Sequence, residues 1–169
     1  MEQLPPTITE TKRKKIILNV TPETHVRSTR GDSIFFRIPK EKLYPSGLAR
    51  LQRLERYNNY KINLLTEAKK KNFTIPPVGL SITFYLPVPK SWSQKKKTAY
   101  HGTYHQNRID IDNLTKGFFD ALVAEDKYIA NVTLTKRWVD FERGWIECEI
   151  FEDANYKELV EIPLRELEQ

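Results

Sequence analysis

The stretch RIDIDNLTKGFFDAL (108–122) sets two aspartates two positions apart, directly ahead of an amide, a lysine and an apolar run. Wound as a helix from Asp112 at about 100° per residue, it places Lys116, Asp120, Asn113 and Gly117 at about 40°, 80°, 100° and 140°. Leu114, Ala121, Phe118, Leu122, Thr115 and Phe119 fill the remaining arc from about 180° to 340°. The pattern predicts an amphipathic helix over 112–124, with one face committed to a core. Its other face gathers two carboxylates, an ammonium group and an amide. Asp110, two positions earlier in extended chain, projects on the same side as Asp112.

Ordinary helix chemistry explains part of this. Asp112 suits the first turn, where the helix dipole favours an anion, and Asp120 pairs with Lys116 as an i, i+4 ion pair. Neither reading gives Asp110 a role. A divalent cation would relieve the repulsion between Asp110 and Asp112, and oxygen donors of this kind suit Mg²⁺ or Mn²⁺.

Outward from this helix, the chain alternates strand and helix signals. RKKIILNV (13–20) and IFFRI (34–38) read as strands. SGLARLQRLERYNNYKINLLTEAKKK (46–71) reads as a long helix: Leu48, Leu51, Leu54, Tyr57, Ile62 and Leu65 recur at three- to five-residue intervals. Ser46 can cap its start, and Lys69–Lys71 complement the dipole at its end. GLSITFYLPV (79–88) alternates as a strand closed by Pro87 and Pro89. Residues 89–108 form a polar connection of about 20 residues with little periodicity, a length that inside a compact domain is usually functional or disordered. After the helix, YIANVTLTKRWVDF and WIECEIFE are expected to form a β-hairpin turning near 142–144, packed by Trp138 and Trp145. The order predicts an α+β domain around a single mixed sheet with two main helices. It occupies residues 13–151, between a loose arm at 1–12 and an acidic tail at 152–169.

With 169 residues, of which 39% are apolar and 30% charged, the chain is expected to be globular and of one domain. No run approaches the ~18 apolar residues of a membrane span, and the first residues hold no apolar signal segment. Cys148 is the single cysteine, so no intrachain disulfide forms, and a reducing, cytoplasmic setting is expected. Alternation with Ile146 and Ile150 turns Cys148 to the core as an inert thiol. Net charge is +6 overall but −4 over residues 152–169, leaving +10 on the first 151 residues. A polyanionic partner, most often nucleic acid, fits that asymmetry.

The string DIDNLTKGFFDAL, followed by EDKYI and the lysine-bearing TLTKRWV, resembles the RusA family of Holliday junction resolvases. The family pattern D-x-D-N-x-x-K-x-x-x-D-A-L falls on Asp110, Asp112, Asn113, Lys116, Asp120, Ala121 and Leu122. The resemblance implies a homodimeric, metal-dependent endonuclease acting on four-way DNA junctions. It further implies that Asp110, Asp112 and a third carboxylate, Asp126, hold Mg²⁺ or Mn²⁺ while Lys116 stabilises charge on the scissile phosphate. The chain departs from the pattern in its short Val123–Ala124 link, which leaves Asp126, Glu125 and Asp120 open as the third acid.

Beside the acids, Lys95, Lys96 and Lys97 interleave with Trp92 and Tyr100, a composition suited to phosphate contact and base stacking. His105 and Arg108 extend that candidate DNA surface. His101 and His105 are spaced i, i+4, but with no further metal signature and Gly102 between them a zinc site is not expected. The competing function is a DNA- or RNA-binding module that keeps the fold without cleaving. Three acids beside a basic loop argue against it, because unneutralised carboxylates repel phosphate.

Overall fold

A computed structural model of the chain describes residues 13–151 and 159–167. Four strands, β1 (Arg13–Leu18), β2 (Leu80–Pro87), β3 (Val132–Val139) and β4 (Trp145–Phe151), form one mixed sheet in the order β1-β4-β2-β3. Three helices accompany it: α1 (Pro45–Lys70), α2 (Gln94–Tyr100) and α3 (Ile111–Leu122). The α+β class expected from the sequence is the one found.

β2 is the strand that organises the rest. Its residues alternate, with Leu80, Ile82, Phe84 and Leu86 buried toward the helices, the period-2 pattern of a strand with one face in the core. It pairs antiparallel with β4 and parallel with β3. A parallel pair needs a crossover, and the segment carrying α2 and α3 supplies it. α1 and α3 pack against each other over the buried face, burying Leu54, Tyr57, Leu64, Leu114, Phe118 and Leu122 against Phe84, Ile146 and Cys148. Phe118 meets both Phe73 and Phe84 edge to face, at 6.4 and 6.3 Å between ring centres.

Four readings are corrected. The expected hairpin of 128–141 with 145–152 does not form, because β2 lies between β3 and β4 and takes hydrogen bonds from both. IFFRI is not a strand. Residues Arg30–Ile34 form a 3₁₀ turn, fixed by Asp32, whose carboxylate accepts from Arg50 Nε at 3.0 Å, Arg50 Nη2 at 2.7 Å and the Thr29 amide at 2.6 Å. Arg50 holds the Asp32 carboxyl well below the usual range. The connection 89–108 is not structureless: it contains α2, whose Ser93 hydroxyl caps the Lys96 amide at 3.4 Å. The domain also extends past residue 151, since Ile162 bridges to Ile75, Leu164 to Val123, and the Arg165 amide donates to Leu122 O at 2.7 Å. The arm at 1–12 and residues 152–158 of the tail lie outside the described residues. α1 starts one residue before Ser46, with Pro45 in its first turn, where the missing amide proton costs nothing.

Cys148 is fully buried, and burial pushes its thiol well above the ordinary range. No helix among the described residues is long and apolar enough to cross a membrane.

Candidate active site

The loop that leads into α3 runs beside β3 and is bonded to Lys136 within that strand. Asp110 is the N-cap residue of α3, in extended conformation, and its main-chain oxygen accepts from the Leu114 amide at 3.2 Å. The Asp110 side chain makes no capping bond; its one side-chain hydrogen bond among the described residues is from Asn113 Nδ2 at 3.5 Å. Asp112 follows in the first turn, exposed like Asp110. An N-cap aspartate ordinarily satisfies the first free amides. Here the carboxylate is left to solvent, next to a second one, at the end of a helix dipole that favours anions.

The loop before Asp110 is tied down by β3. Lys136 projects from the helix-facing side of that strand, opposite Phe84. Its ammonium group donates to the carbonyl oxygens of Asn107, at 3.3 Å, and Ile109. Lys136 O in turn accepts from the His105 amide at 3.0 Å. The peptide entering Asp110 is thereby fixed to the sheet by an ammonium group. Lys116, exposed one turn beyond Asp112, adds a second ammonium group on the same ridge of α3.

An aromatic and cationic surface continues from this point. The His105 ring stacks on Trp138 at 3.7 Å, Trp138 meets Trp92 at 5.1 Å, and Trp92 meets Tyr100 edge to face at 4.9 Å. Lys96 Nζ lies over the Trp92 ring at 4.0 Å, in cation–π range. Lys95 and Lys96 are exposed on α2, Lys97 is half-buried, and Arg108 is exposed in the loop leading to Asp110. His105 is a correction: it is 3 % exposed, so its ring packs under the platform and presents no surface to DNA. Burial, with the nearby Lys136 charge, lowers its pKa and keeps it neutral.

On the other side of α3 runs a strap, residues 21–26. The His25 amide donates to Asn113 O at 3.0 Å, and the His25 Nε2 lies 3.0 Å from Asp120 Oδ2. Tyr57 of α1 donates its hydroxyl to the same carboxylate oxygen at 3.4 Å. Burial lowers the His25 pKa, Lys116 and Lys61 lower it further, and Asp120 opposes them. The expected Lys116–Asp120 ion pair is therefore replaced by a His25–Asp120 contact.

Of the expected site residues, Asp110, Asp112 and Lys116 follow one another at the start of α3, while the α2 lysines and Trp92 connect to β3 through the Trp92–Trp138–His105 rings. Asp126 does not join them within the chain. It follows the far end of the twelve-residue α3, about 17 Å along the helix from its start. The turn carrying it is fastened elsewhere, through Ile129 N to Asp126 O at 2.9 Å and Ala130 N to Pro77 O at 2.6 Å. Glu125 is paired with Lys127, and Asp120, two turns from Asp112, is engaged by His25 and Tyr57. Among the described residues, no three His, Cys, Asp or Glu side chains gather closely enough to hold a metal ion. The sequence reading missed two groups. Lys136 was visible only as a lysine inside a strand, and His25 touches the site through a pairing 95 residues apart in the chain that no local signal reveals.

No curated protein matches the chain. The family model described as Endodeoxyribonuclease RusA matches residues 40–149, the span that holds α1, α2, α3, the acid pair and both parallel strands. That match covers well over half of the 169 residues, and the chain belongs to the RusA family of endodeoxyribonucleases.

Proposed function

We propose that the protein is a Mg²⁺-dependent endonuclease that cuts four-way DNA junctions by phosphodiester hydrolysis, in the cytoplasm, as part of DNA recombination and repair. The observation that carries this reading is the exposed Asp110–Asp112 pair at the amino end of α3, which no cation pairs among the described residues, preceded by a loop that Lys136 holds and followed by Lys116. A pure binding surface has no use for bare carboxylates where it meets phosphate.

The donor set fits the metal. Mg²⁺ is commonly held by one or two carboxylates, keeping several waters and taking phosphate oxygens of the substrate, and Asp110 and Asp112 are hard oxygen donors open to solvent. When bound there, the ion supplies a water of lowered pKa and Lewis-acid withdrawal of charge from the phosphate. Hydrolysis forms a bond from water oxygen to phosphorus, breaks one phosphorus–oxygen ester bond and returns a proton to the leaving oxygen. Lys116, on a rigid helix, offsets the extra negative charge on the phosphate oxygens as that exchange proceeds. Lys136 fixes the peptide that aims Asp110. Lys95, Lys96, Lys97 and Arg108 bind backbone phosphates, and Trp92 offers a ring to an unstacked base.

Asp126 is proposed as the third ligand only from a second chain, since its own α3 holds it away from the pair. A four-way junction has near two-fold symmetry and is cut on opposed strands, so a C₂ dimer with one site per subunit matches it. Ile34 and Phe36 beside α1, 52 % and 53 % exposed, suit the dimer contact. Sedimentation giving twice the chain mass supports the dimer, and an unchanging monomer mass at micromolar concentration refutes it. The functional reading is tested by incubating the protein with a labelled four-way junction and Mg²⁺, with and without chelator. Symmetric nicks that vanish with chelator are expected; junctions left intact, or cut equally with chelator, contradict it.

A further inference from the structure

Away from the acid pair, the outer stripe of α1 and the segments around Asn19–Glu23 and Arg143–Gly144 enclose a groove of about 830 Å³. On its α1 wall stand Gln52, Asn59, Asn63 and Thr66, whose side chains make no hydrogen bond among the described residues. Lys70 ends that wall, so the stripe from Gln52 runs about 27 Å along the helix. Arg143 closes the opposite side, exposed like Lys70. The groove's carboxylates are answered already: Glu23 by Arg56 at 3.3 Å, Glu55 by Lys40 at 2.9 Å and Glu67 by Lys71 at 2.9 Å. What remains free is cationic and hydrogen-bonding.

A second observation points to a ligand. Tyr60 lines this groove, is 3 % exposed, and its buried hydroxyl has no hydrogen-bond partner. An orphaned hydroxyl of this kind costs free energy unless something supplies the partner.

We propose that the groove is a second DNA track, which grips the sugar–phosphate backbone of an arm other than the one being cut. The inference rests on the junction-cleaving reading above and specifies how a branched substrate is told from a linear one. The residue types are those that contact phosphate and sugar in protein–DNA complexes: Lys, Arg, Asn, Gln, Thr and Tyr. The groove is also continuous with the active face. Thr21 and Glu23 of the strap line it, while two residues on His25 turns to Asp120 of α3. DNA leaving the acid pair over the strap enters the groove directly. Backbone phosphates accept from Lys70 and Arg143, the amides donate to phosphate and sugar oxygens, and the Tyr60 hydroxyl finds its acceptor.

The test compares Lys70→Ala/Arg143→Ala, Asn59→Ala/Asn63→Ala and Tyr60→Phe with the unmodified protein. Affinity is measured for a labelled four-way junction and for a linear duplex of one arm, at several salt concentrations, beside single-turnover cleavage at saturating protein. For Lys70→Ala/Arg143→Ala, junction affinity is expected to fall about tenfold and the slope of log K against log salt by about two units, one for each lost phosphate contact. Linear-duplex affinity and saturated cleavage stay within about twofold of the unmodified protein. Tyr60→Phe weakens junction binding while melting at the same or a higher temperature, whereas a purely structural tyrosine would leave binding unmoved. Unmodified protein that cleaves junctions, with all three variants binding them as tightly, overturns the groove assignment alone. Unmodified protein that neither binds nor cuts junctions overturns the functional reading and the groove together.

Discussion

Gly117 of α3 and Glu23 of the strap lie in backbone contact: a Cβ on Gly117 would stand 2.9 Å from the Glu23 carbonyl oxygen. The His25 amide nitrogen is next, at 3.3 Å. A glycine inside a helix sacrifices about 1 kcal/mol of helix propensity relative to alanine. Here it lets the strap lie close enough for His25 to bond Asn113 O and reach Asp120.

Gly117→Ala should therefore destabilise the fold although alanine is the better helix former. Overpacking against backbone costs about 1–3 kcal/mol, which exceeds the propensity gain. The urea midpoint is expected to fall by an amount equivalent to about 1 kcal/mol, and saturated cleavage to fall with it as the strap lifts from α3. An unchanged or raised midpoint would show that the strap yields freely.

Lys116 and the α2 lysines should separate kinetically. Lys116 sits on a rigid helix one turn from Asp112, so Lys116→Ala is expected to cost about 2.7–4 kcal/mol in turnover, as single electrostatic stabilisers do. Its effect on affinity should be small. Lys116→Arg keeps the charge but not the compact ammonium, and is expected to be impaired as well. Neutralising Lys95, Lys96 and Lys97 together should instead weaken binding and flatten its salt dependence by about one unit per lost contact. Single-turnover rates beside binding titrations decide this. Lost affinity with an unchanged saturated rate would make Lys116 a binding residue.

His105 makes the fold acid-sensitive. Burial lowers its pKa in the folded state, so the unfolded chain binds the proton more readily. Its contribution to stability is complete above the ordinary histidine value of about 6.5 and is lost as pH falls below it. His25 acts in the same direction. His105→Phe keeps a ring against Trp138 and removes the titration. Thermal melts should show the variant gaining on the unmodified protein between pH 8 and pH 5; a constant difference would remove His105 from the acid response.

Much of this was legible in the sequence. The long helix and α3 announce themselves through apolar periodicity, and β1 and β2 through apolar and β-rich runs, because each buries one face against a common core. Asp110 and Asp112 stood out because no ordinary helix chemistry explained both. The failures share a cause. Residues 132–139 and 145–151 look like a hairpin because they are strands joined by a short link, and nothing local reveals that β2 will enter between them. IFFRI has strand composition, but the Asp32–Arg50 contact, 18 residues apart, holds the preceding turn in a 3₁₀ form. In α2 the helix signal was present, with Ser93 three residues before Lys96, but lysine-rich polarity masked it. Lys136 and His25 reach the site only through the fold.

The central claim is that Asp110 and Asp112 hold the metal that makes this protein a nuclease. Asp110→Asn and Asp112→Asn each remove one charge and one hard donor without changing side-chain volume, and among the described residues neither carboxylate caps the helix or pairs with a cation. The decisive measurement is single-turnover cleavage of a four-way junction in Mg²⁺, run beside junction binding for both variants. The account predicts cleavage abolished in each, with binding equal to or tighter than that of the unmodified protein, because a negative charge near phosphate has been removed. Cleavage at a near-normal rate by either variant would contradict it.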